Sequence, residues 1–385
     1  MSNRRVSMDL LPNEILLMVA YQLNEVTDIN ALAQVNRRFF NTLNQHLYRC
    51  DALFGPLDAL YYAARNGNGA TAQMSINASF DCDHQIDSIQ QALYDATDFG
   101  SADVVSCILQ RDDIDPTLAL NGAARGGHTA IVRHLLSCKD LDPNPKHPSD
   151  QSPLSIAAFR AHADVVELLL DMPNIEADFR DSLNRSPLFY AVLSNSPKTV
   201  SCFLRRNLNL DVNVEDKMRR ERFRHNLGRT PLIVASLFKL PDILNLLITI
   251  PGISINHSDS RGKTALHFAA ELGTEPIVRS LLEHGADPDP KDNEKETPLF
   301  LAAKNGSESV VRILLEAGAN PNHTCDNQVH ALGAARTEGH RDVAQIIHDF
   351  DKLDLDSLGP VPRHWNAARG KMWSASVKSK PDGHS

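Results

Sequence analysis

The stretch Thr264-Ala265-Leu266-His267-Phe268-Ala269-Ala270 decides the reading of this chain. It recurs as Thr297-Pro-Leu-Phe-Leu-Ala-Ala, Ser152-Pro-Leu-Ser-Ile-Ala-Ala, Ser186-Pro-Leu-Phe-Tyr-Ala and Thr230-Pro-Leu-Ile-Val-Ala. Weaker copies begin at Asp58, Gln91, Leu118 and His330. Successive starts lie 33, 27, 34, 34, 44, 34, 33 and 33 residues apart, a regularity that chance matches would not hold.

The registers inside each unit agree as well. Nine residues after the start stands a glycine in six units: Gly67, Gly100, Gly127, Gly273, Gly306 and Gly339. Aliphatic pairs follow, such as Val165-Val166 and Val310-Val311, and then second pairs such as Leu281-Leu282 and Leu314-Leu315. Each unit reads as a short helix, a glycine-containing turn and a second helix with apolar residues at three- and four-residue spacing. The leading Ser or Thr suits an N-cap and the Pro after it suits the first turn. Gly285-Ala-Asp-Pro and Gly318-Ala-Asn-Pro then stop the second helix.

These residues resemble the ankyrin repeat over about residues 57–350. The resemblance implies an all-α solenoid of about nine helix-turn-helix repeats with short β-hairpin fingers, starting near 58, 91, 118, 152, 186, 230, 264, 297 and 330. No such unit buries its apolar face alone, so the stack is the folding unit. Four departures stand out. The signature His survives only at His267, and the 27-residue interval implies a truncated finger before Leu118, near Pro116. The 44-residue interval places extra residues around 214–226. The unit at Asp58 carries Thr71-Ala72 and Ser75-Ile76 where others have aliphatic pairs, so no second helix is expected there with the same force.

Residues 9–50 follow another pattern. Leu16, Val19, Ala20 and Leu23 share one helical face, and Leu32, Val35 and Phe39 make a second. With Leu11-Pro12, Glu14-Ile15 and Asn36-Arg37-Arg38-Phe39-Phe40, this module resembles an F-box. The resemblance implies a small helical module docking on a Skp-type adaptor of a cullin–RING ubiquitin ligase. Leu11, Pro12, Ile15 and Leu16 would lead that contact, and Val35, Arg37, Phe39 and Phe40 would extend it. The alternative is a cap that covers the first repeat. Only about seven residues, 51–57, join the module to the array, with Gly55-Pro56 among them, so a fixed orientation is expected.

The composition excludes several classes. The chain has 385 residues, 42% of them apolar, and a formal net charge of −9, a poor match for phosphate backbones. No apolar run is long enough to span a bilayer, and residues 1–9 lack the apolar core of a secretory signal. Six scattered cysteines form no CxxC pair and read as reduced thiols, consistent with a cytoplasmic or nuclear setting. No HExxH, P-loop, GxSxG or EF-hand pattern occurs. Asp81-Cys-Asp-His84 reads as polar loop, His267 as a structural hydrogen-bonding residue, and His128, His162 and His340 as turn residues. The chain is therefore expected to be no enzyme, to need no cofactor or metal, and to act as one copy within a complex.

Partner-binding positions follow from the resemblance: finger tips and the concave face of the inner helices. They include Arg180, Asp181, Arg185, Asp259, Arg261, Lys263 and Lys295 on fingers, and Phe159, Arg160, Phe238 and Leu272 on inner helices. The apolar members read either as a stripe awaiting a protein target or as residues under lateral packing. The basic run 217–225, with Arg219, Arg220, Arg222 and Arg224, admits three readings: a solvated face, a nuclear import signal or a contact for an acidic partner. In the tail 353–385, Trp365, Ala368, Met372 and Trp373 fall at helical spacing, and that segment reads as back-folding, disordered or a peptide for another protein.

Overall fold

The computed structural model describes residues 48–49, 51–52, 57–79, 85–138, 141–145, 150–206, 208, 210–217 and 228–352. The eight F-box-like positions Leu11, Pro12, Ile15, Leu16, Val35, Arg37, Phe39 and Phe40 lie outside the described residues. So do Arg219, Arg220, Arg222 and Arg224, the segment 81–84 and the tail 353–385.

Among the described residues the fold is all-α and of solenoid type, with eighteen helices in nine pairs and no strand. They divide into two compact units, residues 1–175 and 176–385. The first unit holds α1 (Asp58–Asn66) with α2 (Gly69–Ala78), α3 (Ile86–Phe99) with α4 (Ala102–Ile108), α5 (Ala119–Gly126) with α6 (Thr129–Leu136), and α7 (Pro153–Phe159) with α8 (Ala163–Leu170). The second holds α9 (Pro187–Leu193) with α10 (Pro197–Leu204), α11 (Pro231–Leu237) with α12 (Pro241–Ile248), α13 (Ala265–Glu271) with α14 (Glu275–Glu283), α15 (Pro298–Lys304) with α16 (Glu308–Glu316), and α17 (Ala331–Thr337) with α18 (Arg341–Lys352). Within each unit, first helices pack on first helices and second on second.

Local chemistry sets the helix starts. The Ser186 hydroxyl accepts from the Phe189 amide at 3.2 Å, Thr230 from Ile233 at 3.4 Å and Thr297 from Phe300 at 3.3 Å, with Pro at the first helical position each time. Each cap is worth about 1 kcal/mol. Buried alanine pairs such as Ala157-Ala158, Ala269-Ala270 and Ala302-Ala303 let neighbouring first helices approach closely, while Val310, Val311, Leu314 and Leu315 fill the space behind them.

Two expectations change. The second helix of the first pair forms in full as α2, although it lacks aliphatic pairs. The Asn68 side chain caps it through the Thr71 amide at 3.1 Å, and the small residues Ala72 and Ser75 with Ile76 are buried where α2 packs on α4. Burial of a compact face is enough. Among the described residues two fingers carry isolated antiparallel bridges, Ser258 with Thr264 and Thr324 with His330, and no extended strands.

The turns between paired helices are tied to the next repeat. Gly127 has φ +73°, and a Cβ there would stand 2.5 Å from the ring of His162. That ring donates from Nε2 to the Arg125 carbonyl at 3.0 Å, and His128 reaches the Asp98 carbonyl likewise at 2.9 Å. These histidines, expected to be simple turn residues, clasp each repeat to the one before it.

At the front of the array, Tyr48 and Ala52 are buried. Leu57, at the N-cap of α1, offers no capping side chain; the Asp51 carboxylate does the work, accepting from the Asp58 amide at 3.1 Å and the Ala59 amide at 3.0 Å. Gln85 donates to the Ala52 carbonyl at 3.3 Å. The chain leading into the repeats is thereby anchored on them.

Candidate functional site

In the second unit one aspartate builds each of four fingers, while Cys325 takes that position in the last, its amide donating to the Val329 carbonyl at 3.0 Å. Asp259 Oδ1 accepts from the amides of Arg261 and Lys263, both at 2.9 Å, and its own amide donates to the Lys263 carbonyl. Asp292 repeats the arrangement with Glu294 at 3.0 Å and Glu296 at 2.8 Å. Asp181 does so with Leu183 and Arg185, and its Oδ2 also receives the Tyr190 hydroxyl. Asp181 and Asp259, nominated as partner contacts, are therefore buried struts whose carboxylates face inward. Sequence reasoning placed them correctly on fingers but could not see which way a short acidic side chain turns.

Asp216 fills the same role where the basic insertion falls. Its Oδ1 accepts from the Arg229 amide at 3.0 Å and its amide donates to the Arg229 carbonyl, so the finger base closes across 13 positions instead of four. In sequence the extra residues fall between Asp216 and Arg229, with Lys217 and Gly228 as the described ends. Burial pushes the Asp216 carboxyl above its usual range, against the opposing pull of the Arg229 amide and of Arg185.

The charged finger residues of this unit are mostly spoken for. Arg180 pairs with Asp178 at 2.6 Å and Asp211 at 3.4 Å. Arg185 is buried over the Phe189 ring, 3.8 Å from Asp216. Lys263 meets Glu271 at 2.9 Å, and exposed Lys295 meets Asp326 at 2.6 Å. The Arg261 carbonyl accepts from the Asn293 amide at 2.8 Å, and the Glu294 carbonyl from Asp326 at 3.1 Å, so neighbouring fingers are laced through their backbones. Leu272 is half-buried, while Phe238 is 57% exposed.

The first unit is more open. Phe159 is 47% exposed beside exposed Arg160, at the end of α7. Sequence reasoning missed two companions on the same helix row: Tyr62 on α1, 60% exposed, and Phe99 at the end of α3, 56% exposed. Phe99 stands eight residues after its repeat start, as Phe238 and Leu272 do after theirs, and that register was the signal available for it. Arg65 lies over the Phe99 ring at 5.9 Å and pairs with Asp95 at 3.4 Å. Arg125 lies over Tyr94 at 5.1 Å and approaches Asp98 at 3.6 Å.

His267 is buried and bound on both sides. The Thr264 amide donates to Nδ1 at 3.0 Å, completing a capping box, and Nε2 donates to the Glu296 carbonyl of the next finger at 3.1 Å. Burial pulls its pKa below the ordinary histidine value. The ring is thus a neutral strut between repeats, as expected from the sequence. Among the described residues no cluster of three or more His, Cys, Asp or Glu could hold a metal ion, and no helix is long and apolar enough to cross a membrane.

Comparison with known proteins fits this architecture. A family profile described as ankyrin repeats, in three copies, matches residues 120–216, 217–292 and 286–357, more than half of the chain. An E3 ubiquitin-protein ligase, KEG, of Arabidopsis thaliana is 29% identical over 163 residues, covering 42% of this chain and 9% of that protein. The human neurogenic locus notch homolog protein 2 is 32% identical over 142 residues, covering 37% of this chain and 5% of its own length. Rabankyrin-5 of Mus musculus is 28% identical over 173 residues, covering 45% and 14% respectively. The chain thus corresponds to a small part of each of these relatives. Among solved structures, the ankyrin repeat domain of Bcl-3 aligns with a TM-score of 0.52 and 23% identity, covering 60% of this chain and 97% of that one.

Proposed function

This chain belongs to the ankyrin-repeat family, whose repeats are protein-interaction scaffolds, and from that premise we propose that it is the substrate-recognition subunit of a cullin–RING ubiquitin ligase. The F-box-like residues 9–50 would dock a Skp-type adaptor, and the array would hold the protein target. No residue of the chain would carry covalent chemistry; the ligase gains its rate from proximity of the bound target to the transferring subunit. The reading is supported chiefly by the sequence of residues 9–50 and by the anchoring of Asp51 and Ala52 on the first repeats, which suits a module that must present the target at a fixed distance. The likeness to the Arabidopsis ligase covers only 9% of that protein and adds little. A cytoplasmic or nuclear setting belongs to this proposal.

The test is capture of purified Skp-type adaptor by the full chain, compared with the variant carrying Leu11→Asp and Ile15→Asp. Capture by the wild type and its loss in the variant are expected. A folded wild-type chain that leaves the adaptor in solution rejects the ligase role. The same anchoring at Asp51 and Ala52 favours a second reading, in which residues 9–50 only cap the solenoid and the chain is a scaffold without a ubiquitin link.

A further inference from the structure

Five of the six exposed large apolar side chains among the described residues belong to the first unit. Three of them, Tyr62, Phe99 and Phe159, lie on the first-helix row of α1, α3 and α7. Three guanidinium groups, Arg65, Arg125 and Arg160, alternate with them at the ends of α1, α5 and α7. The strip is continuous. Arg65, one turn beyond Tyr62, covers the Phe99 ring; Asp98, next to Phe99, receives Arg125; and the charge of Arg160, next to Phe159, acts on the same Asp98. Arg65 and Arg125 are balanced by Asp95 and Asp98, and Asp58 stands one turn before Tyr62, so Arg160, beside Phe159, is the guanidinium of the strip with no ion pair among the described residues. In the second unit a single large apolar residue, Phe238, is exposed among those described, and the finger cations Arg180, Lys263 and Lys295 are closed into ion pairs.

We propose that this strip of the first unit is the target-binding face and that its ligand is an acidic protein segment carrying one or more bulky apolar side chains. Aromatic faces with an adjacent guanidinium provide apolar anchors, and Arg160 beside Phe159 selects a carboxylate next to them. A nucleic acid could use the same pairing of aromatic and cationic groups, but the ankyrin array is a protein-interaction scaffold, and a labelled single-stranded DNA tests the alternative directly. The inference rests on the reading of the array as the target-binding part of the chain. Adaptor capture interrogates residues 9–50 alone, so the two results can fail separately.

The experiment pans a displayed library of short random peptides on the full-length chain, then measures a fluorescein-labelled peptide of the enriched sequence by anisotropy. Enriched peptides should be net acidic with aromatic or long aliphatic residues, and their binding should weaken as salt rises. Phe99→Ala and Arg160→Glu, both exposed positions, should each weaken binding by about tenfold or more, while Phe238→Ala in the second unit leaves it unchanged. Circular dichroism of each variant establishes that the fold is retained. Enrichment of basic or neutral peptides, absence of any enrichment, dependence on Phe238 instead of Phe99, or equally tight binding of a labelled single-stranded DNA would overturn the proposal.

Discussion

The close approach of a histidine ring to the turn of the preceding repeat can be measured with two glycines that share a backbone conformation and differ in their neighbours. Gly306 has φ +74° and Gly318 has φ +94°. Alanine in this left-handed region costs about 1–2 kcal/mol at either position. At Gly318 nothing stands within 4 Å of an added Cβ. At Gly306 the Cβ would sit 2.5 Å from Nδ1 of His340, roughly 1 Å inside normal contact. The ring of His340, which belongs to the next repeat, must shift, at a further cost of about 1–3 kcal/mol. Gly306→Ala should therefore destabilise by about 2–5 kcal/mol, against about 1–2 kcal/mol for Gly318→Ala. Removing the obstacle with His340→Ala in the Gly306→Ala background should recover much of the difference, a coupling that a double-mutant cycle isolates. Because arrays need not unfold in one step, amide hydrogen exchange over α15, α16 and α17 is the better readout beside urea titration. Equal losses for the two glycines, or no recovery on removing His340, would refute the close packing of that ring on the Gly306 turn.

Three further outcomes are expected. His267 is held neutral with a lowered pKa, so its contribution is fully present above the unfolded value of 6.5 and is lost as pH falls below it; buried carboxyls with raised values, such as Asp216 and Glu296, act with the opposite sign. Comparing wild type with His267→Leu across that range by urea titration isolates the histidine: the variant should be about 2–4 kcal/mol less stable at neutral pH, and the gap should narrow on acidification. Asp259→Ala should cost about 2–3 kcal/mol by releasing the Arg261 and Lys263 amides, whereas Asp259→Asn, which keeps the accepting oxygen, should stay within about 1 kcal/mol in thermal unfolding. Asn121 on α5 is fully buried with neither amide atom partnered among the described residues, so Asn121→Leu should leave stability unchanged or raise it by about 1–2 kcal/mol, read as a higher melting temperature.

The repeat architecture was legible because it is periodic: the Ser/Thr-Pro-Leu starts, alanine pairs and aliphatic pairs each restate one packing rule, and the helices begin at those residues. The contacting surface was less so. Asp181, Asp259 and Asp292 each lie five residues before a helix-capping Ser or Thr, and Asp216 lies fourteen before Thr230 across the insertion. That fixed register marks a structural role, but the resemblance to a finger drew attention to charge rather than to register. His128 and His162 read as turn residues because their bonds run to carbonyls 30 and 37 positions away, beyond any local pattern. Tyr62 and Phe99 belong to the weakest copies of the repeat, where apolar residues on the open face look like core residues until the neighbouring helix is placed.

The most direct test of the account is light scattering on a chromatographed mixture of the full chain with purified Skp-type adaptor and the enriched acidic peptide. One species containing all three, with each ligand binding as tightly in the presence of the other as alone, is the result predicted for a receptor with separate docking and target faces. An adaptor that elutes apart from a folded, peptide-bound chain would leave the repeats as a scaffold and contradict the ligase assignment.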